Sequence, residues 1–295
     1  SGGSSVVTTD EGNIPGMGSQ HETSATQPFG AATDGSFKME LHGADATVSI
    51  GGTELKVENG KLYHNGVEVT ADAAVSVPGG AHGTLTVTGM DADGTVHYTY
   101  TLTTPVDATG NASNRPGEGD AGRGEAVHAD AFDVSITTTG GTATGQITVD
   151  ALDDAPVLST LDTTQTTVAD GEAALTGTLS FTPGADAEGA QVTVEVEGQT
   201  FTGTKGENGW TFTGGSDGSS FQLNGTAFTY TRPASNTTDG RNDTIILKVT
   251  VTDGDGDTAE QSVTVNTVAG PLFEDAPSGG SSVVTTDEGN IPGMG

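Results

Sequence analysis

Residues 244–268 read TIILKVTVTDGDGDTAEQSVTVNTV, and this stretch decides the fold. Ile245, Leu247, Val249 and Val251 alternate with Ile246, Lys248, Thr250 and Thr252. A period of two sends one set into a core and the other toward water, which is the pattern of a half-buried strand. The run stops at Asp253, Asp255 and Asp257, interleaved with Gly254 and Gly256, and a second alternating run follows. The same alternation places Val192, Val194 and Val196 against Thr193, Glu195 and Glu197, and Val96, Tyr98, Tyr100 and Leu102 against His97, Thr99, Thr101 and Thr103. Threonine, valine and aromatic residues suit a pleated surface buried on one side. Turn dipeptides punctuate the runs at Asn59-Gly60, Asn65-Gly66, Asp93-Gly94, Asn208-Gly209, Asp217-Gly218 and Asn224-Gly225. No stretch has a helical period. The sequence predicts an all-β chain of tandem β-sandwich domains, each of about seven strands.

Working outward, the sequence repeats at two scales. Residues 1–18 and 278–295 are identical, SGGSSVVTTDEGNIPGMG, at an offset of 277. A tag carried at both ends would also read this way, but the strand-like Val-Val runs on into its flanking sequence. The identity predicts one full period of a tandem array plus the start of the next copy. Within the period, GSFKMELHGADATVSIGGTEL from Gly35 answers GTLSFTPGADAEGAQVTVEVEGQTF from Gly177, and GTVHYTYTL from Gly94 answers GTAFTYTR from Gly225. The expected domains are therefore 1–155, 156–277 and a partial third unit, 278–295, that holds only a first strand. LDDAP and FEDAP form the joints. Proline keeps the residue before it extended, so each joint reads as a short stiff linker. The first half carries an extra segment near Ser19–Thr33 with no counterpart.

Composition narrows the function. The net charge of −31, from 9 Lys+Arg against 40 Asp+Glu, leaves no basic face for nucleic acid or an anionic membrane. It suits divalent cations. Without cysteine there are no disulfides, thiolate metal sites or cysteine catalysis. No apolar run approaches the ~20 residues that span a bilayer, so no membrane insertion is expected. Residues 1–18 lack the basic start and apolar core of a signal peptide, which points to another export route or to an internal piece of a longer protein. All six histidines, His21, His42, His64, His82, His97 and His128, fall in the first half without zinc-site spacing. Trp210 and Phe212, flanking Thr211, read as core rather than as an aromatic cleft. The Gly-rich run 117–124 lacks a Walker lysine. No enzyme activity is expected.

Residues 251–259 (VTDGDGDTA), 153–156 (DDAP), 274–277 (EDAP) and 90–102 (MDADGTVHYTYTL), together with the period itself, resemble the extender repeats of RTX adhesins. Those are giant type I-secreted bacterial surface proteins built of Ig-like, cadherin-like and VCBS-type modules. The resemblance implies Ig-like or cadherin-like sandwiches in an elongated array. It further implies a calcium-stiffened stalk that projects ligand-binding domains from the bacterial surface in attachment and biofilm formation. A ligand- or glycan-binding module, or the building unit of an extracellular filament, is the alternative.

The acids are consistent with calcium in their own right. Ca²⁺ takes six to eight oxygen ligands, and closely spaced aspartates in a Gly-rich turn can converge on one ion. Asp253, Asp255 and Asp257 begin like an EF-hand loop but lack its closing glutamate and flanking helices; a solvated acidic turn is the plain alternative. In a sandwich the turn between the last two strands lies at the end where the chain comes in. Asp253, Asp255 and Asp257 should therefore face Asp153 and Asp154 in the joint, with Asp186 and Glu188 at the same end. The preceding domain should offer Asp10 and Glu11 across the joint, with Glu118, Asp120, Glu125 or Asp130 as further candidates, an arrangement that resembles the cadherin one. The first sandwich has TTTGGTA (Thr137–Ala143) where the second has its acids, so its own site should be reduced, with Asp45, Asp91 and Asp93 beside Glu274 and Asp275. The expected partners are neighbouring repeats of the same chain, with self-association through the duplicated end, residues 278–295, as a further possibility.

Overall fold

The computed structural model describes residues 3–19, 30–106, 125–216, 218–233 and 243–269, leaving aside the side chains of residues 125–128. Every regular element among them is a strand, apart from one 3-10 turn at Glu11–Asn13. The first part of the chain forms β1 (Gly3–Asp10), β2 (Ala32–Lys38), β3 (Ala46–Ile50), β4 (Thr53–Glu58), β5 (Lys61–His64), β6 (Val67–Glu68), β7 (Val75–Val77), β8 (Gly83–Met90), β9 (Thr95–Leu102), β10 (Glu125–Thr138) and β11 (Gly141–Leu152). The second part forms β12 (Val157–Thr163), β13 (Thr167–Ala169), β14 (Ala174–Thr182), β15 (Gln191–Val196), β16 (Gln199–Gly206), β17 (Gly209–Gly214), β18 (Ser220–Asn224), β19 (Ala227–Thr231), β20 (Thr244–Thr252) and β21 (Thr258–Val268).

Two sheets build each sandwich. In the first, β1-β11-β10-β3-β4-β5-β6 faces β2-β9-β8-β7; in the second, β13-β21-β20-β15-β16-β17 faces β12-β14-β19-β18. The second set is the immunoglobulin order, A-B-E-D against G-F-C with C′ and C″ added at the edge. A short strand runs parallel to the last one in both: β1 beside β11, and β13 beside β21. The expectation of about seven strands is corrected upward, because β4–β6 and β16–β17 widen one sheet beyond β3 and β15. Alternation does what the sequence requires of it: β9 buries Val96, Tyr98, Tyr100 and Leu102, and β20 buries Ile245, Leu247, Val249 and Val251. Trp210 and Phe212 are half-buried against the second core, with Trp210 edge-on to Phe181 at 5.1 Å. The I′-type turn chemistry is explicit at Asn59-Gly60 and Asn65-Gly66, where φ is 53° and 77°, then 51° and 81°.

The two cores do not merge. One runs from Val7 to Ala151 and the other from Leu158 to Val265. Each sandwich has a leading end, where the chain comes in, and a trailing end, where it leaves. Between β11 and β12 only Asp153, Asp154, Ala155 and Pro156 remain, so the trailing end of the first sandwich meets the leading end of the second over a short joint.

Candidate metal centre at the joint

Four separate pieces of chain deliver carboxylates to this joint: the end of β1, the linker, the β14–β15 loop with Asp186, and the β20–β21 turn. β1 ends at Asp10, whose Oδ1 accepts the Gly12 amide at 2.9 Å and caps the 3-10 turn. The cap makes Glu11 the first residue of that turn; its Oε1 accepts the Val106 amide of the same sandwich at 2.6 Å, while its carboxylate stands beside Asp153 and Asp186 at the joint. β11 then runs straight into Asp153 and Asp154. From the second sandwich, Asp253 folds the β20–β21 turn around itself: its Oδ1 accepts the amides of Gly256 at 3.0 Å and Asp257 at 2.7 Å. That turn is laid on the β14–β15 loop by Gly254, whose amide donates to Asp186 O at 2.7 Å. A Cβ at residue 254 would stand 2.1 Å from Glu188 O, so only glycine fits there.

The result is two carboxylate trios that share one member. In each of Glu11–Asp153–Asp186 and Asp153–Asp255–Asp257, one oxygen per residue lies within 4.8 Å of the others. Asp153, from the joint itself, belongs to both. Oxygens on opposite sides of a calcium ion stand about 4.6–5.2 Å apart, since Ca–O distances run about 2.3–2.6 Å. Each trio can therefore lie on a single coordination sphere.

Burial makes the arrangement costly without positive charge. Glu11 is 0 % exposed, Asp153 2 % and Asp253 3 %. Among the described residues, Glu11 Oε2, Asp153 Oδ1, Asp253 Oδ2, Asp255 Oδ1 and Asp257 Oδ2 are buried atoms with no hydrogen-bond donor. None of these five side chains forms an ion pair with Lys or Arg there. A buried carboxylate left so is strongly disfavoured as the anion. Burial pushes Glu11 up to about 10, with Asp186, Asp153 and Asp154 adding repulsion and the Val106 amide opposing. It pushes Asp153 up to about 9, with Asp255 and Asp257 the next causes. Asp253 rises to about 8 and Asp257 to about 6, in both cases through burial first and Asp255 second. An all-oxygen donor set of this kind suits a hard cation such as Ca²⁺ and gives soft metals no thiolate or imidazole.

Of the residues singled out from sequence, Glu11, Asp153, Asp186, Asp255 and Asp257 are brought together. Asp253 shapes the turn and adds a buried oxygen beside them. Three others have different work. Asp154 accepts from the Ser19 amide (2.7 Å), the Ser19 hydroxyl and the Ala185 amide (2.9 Å), so it ties both sandwiches to the joint. Asp10 caps its turn. Glu188 is exposed and contributes only its main chain to the contact with Gly254. Asp130 is corrected to an internal acceptor of the first sandwich, taking the amides of Ala81, His82 and Gly83 and the Tyr100 hydroxyl. Asp45, Asp91 and Asp93 form no trio among the described residues; they serve Asn59 N, His97 Nε2, and Lys38 with Thr95 N, respectively. Glu118, Asp120, Glu274, Asp275 and the duplicated segment 278–295 lie outside the described residues, as does the Glu125 side chain. Sequence reasoning missed Ser19 and Val106. Neither has a local signal, because each is placed by a tertiary contact.

No protein-family model matches the chain, and no curated protein matches it. Solved structures similar to it include a titin Ig tandem (11 % identity, TM-score 0.26, covering 89 % of this chain and 92 % of that one). Others are a protocadherin γB7 cis-dimer structure (10 %, 0.27, 90 % and 45 %) and the tandem Ig repeats of Dlar (8 %, 0.22, 80 % and 88 %). Likenesses at this level decide nothing about the joint, and the sandwich architecture stands on the strand pairing itself. Among the described residues no helix is long and apolar enough to cross a membrane.

Proposed function

We propose that the chain is a non-enzymatic structural spacer whose joint is clamped by calcium. The observation that carries this reading is the position of Asp153. It sits in the linker and shares one trio with Glu11 of the first sandwich and the other with Asp255 and Asp257 of the second. Two sandwiches joined by so few residues move relative to one another by default. Ions held by these trios would replace carboxylate repulsion with shared coordination and so fix the angle between the sandwiches. The sequence resemblance to RTX extender repeats supports the finer placement: a stalk segment of a bacterial surface adhesin, outside the cell and exported by type I secretion. There, neighbouring repeats are its main partners. Extracellular calcium sites of about 10⁻⁴–10⁻³ M affinity would be empty in a cytoplasm poor in free calcium and filled outside, so the stalk would stiffen after export.

The test is small-angle scattering and thermal melting with calcium and with chelator. Calcium should give a longer, sharply defined maximum dimension and a higher melting temperature. Scattering and melting curves that ignore calcium would remove the mechanism.

A further inference from the structure

The leading end of the first sandwich is built differently from that of the second. β14 is covered on its outer edge by β12, in antiparallel register that sets Leu158 beside Phe181 and Leu161 beside Leu179. β2 is the counterpart of β14. Gly35 lies under the Tyr98 ring as Gly177 lies under the Phe228 ring, with the same cross-strand register. Counting from those glycines, Phe37 matches Leu179 and Met39 matches Phe181. Yet among the described residues β2 is the edge of its sheet, because the first strand of this sandwich is spent entirely along β11. The space that Leu158 and Leu161 take in the second sandwich is here an open cleft of about 770 Å³. Phe37, Met39, Leu41, Val134, Ile136 and Ile147 line it, and Gly3–Ser5 form its rim.

We propose that this cleft is a socket for Leu272 and Phe273 of a neighbouring copy of this chain. The sequence supplies the occupant. SGGSSVV, with which β1 begins, recurs at 278–284, and PLFEDAP stands directly before it at 271–277. Wherever that recurrence forms the first strand of such a sandwich, Phe273 and Leu272 stand seven and eight residues upstream of Gly280, the counterpart of the rim residue Gly3. Eight residues reach at most about 26–29 Å, enough to turn back into the cleft. The two joints thus place their apolar pair on opposite sides of the acids. Leu158 and Leu161 follow DDAP and cover β14 from within, whereas Leu272 and Phe273 precede EDAP, and the SGG after it has nothing to cover β2 with. An extended segment added at a sheet edge with side chains in a pocket is an established mode of recognition. The array would then alternate a cation-clamped joint with an apolar one.

The experiment extends the full chain at its N-terminus by the sequence of residues 270–277, GPLFEDAP, and measures hydrogen exchange in chelator. Working in chelator separates this proposal from the cation clamp. The extension should slow exchange across Phe37–His42 and Ile136–Thr142 by about tenfold, as expected when an open site is closed by apolar contacts. Serine in place of the added leucine and phenylalanine should return exchange to that of the unextended chain, and Ile136→Ser in the extended chain should weaken the protection. Unchanged exchange on extension, or protection that survives the serine replacements, overturns the proposal.

Discussion

Tyr100 and Tyr230 occupy the same place near the trailing ends of the two sandwiches, yet their hydroxyls serve different partners. Tyr100 donates to Asp130, whereas Tyr230 donates to Glu197 at 3.0 Å. The difference belongs to a coordinated exchange. Leu102 and Arg232 are matched in register, each amide donating to the residue just before β2 or β14, Ala31 O or Ala173 O. Gly51 and Glu197 are matched too, as the first residues after β3 and β15, with φ of 53° and 47°. In the second sandwich Arg232, 5 % exposed, bonds both Glu197 oxygens and the carbonyls of Asp170 and Glu172, closing the loop after β13. In the first, the corresponding loop instead points Glu11 at the joint. One trailing end therefore carries its own guanidinium, and the other turns a buried carboxylate toward Asp153 and Asp186. The same topology tolerates both because strand order fixes where an end lies and leaves its chemistry to a few residues.

The largest expected effect comes from Asp153. With calcium at about a hundred times its dissociation constant, each filled site adds ~2.7 kcal/mol, or about 5 for two. Asp153→Asn should remove this stabilisation at both sites together. In chelator the same variant should melt above the wild type, since it deletes a buried carboxylate whose anion is disfavoured. Melting with and without calcium shows whether the order of the two proteins crosses.

The next largest effect lies at the other trailing end. Arg232→Leu leaves Glu197 buried without its guanidinium and should cost about 3–5 kcal/mol, equally in calcium and in chelator. Adding Glu197→Gly, which recreates the Gly51 and Leu102 pair of the first sandwich, should recover most of it. Denaturant unfolding of the three proteins measures the coupling. A loss that appears only in chelator would mean that this end also leans on a cation.

A third prediction concerns pH. In chelator the folded chain binds protons at Glu11 and Asp153 more tightly than the unfolded chain does, because their folded values of about 10 and about 9 stand above the ordinary 4.5 and 3.8. Their contribution is complete below the ordinary values and is lost as pH rises through the folded ones, so stability in chelator should fall between about pH 5 and 9. With calcium the trend should reverse, because ligand carboxylates must be ionised to bind. Melting across this range in the two buffers reads both slopes.

The smallest effect is expected at the acids of the first sandwich's leading end. Asp45→Asn, Asp91→Asn and Asp93→Asn should each change stability by less than about 0.5 kcal/mol and leave calcium binding untouched, since these exposed groups serve local partners. Titration of the triple variant measures this.

Much of this was legible from alternation and spacing. Tyr98, Tyr100, Ile245 and Val249 declare their strands because burial on one face requires a period of two. The approach of Asp255 and Asp257 to Asp153 follows from strand order, since the last turn must return to the leading end. The division of labour among neighbouring acids was not legible. Asp153 and Asp154 are adjacent and chemically identical, but opposite faces of the linker meet different surroundings: one meets carboxylates, the other Ser19 and Ala185 amides. Asp130 likewise depends on where the β7–β8 loop turns its amides, which no local pattern in the sequence announces.

The central claim is that Asp153 ties two cation sites into one joint, and calorimetric titration of the full chain with calcium tests it most directly. The account predicts that Asp153→Asn lowers the number of bound ions by two relative to the wild type. A count that is the same with and without the Asp153 carboxylate would contradict it.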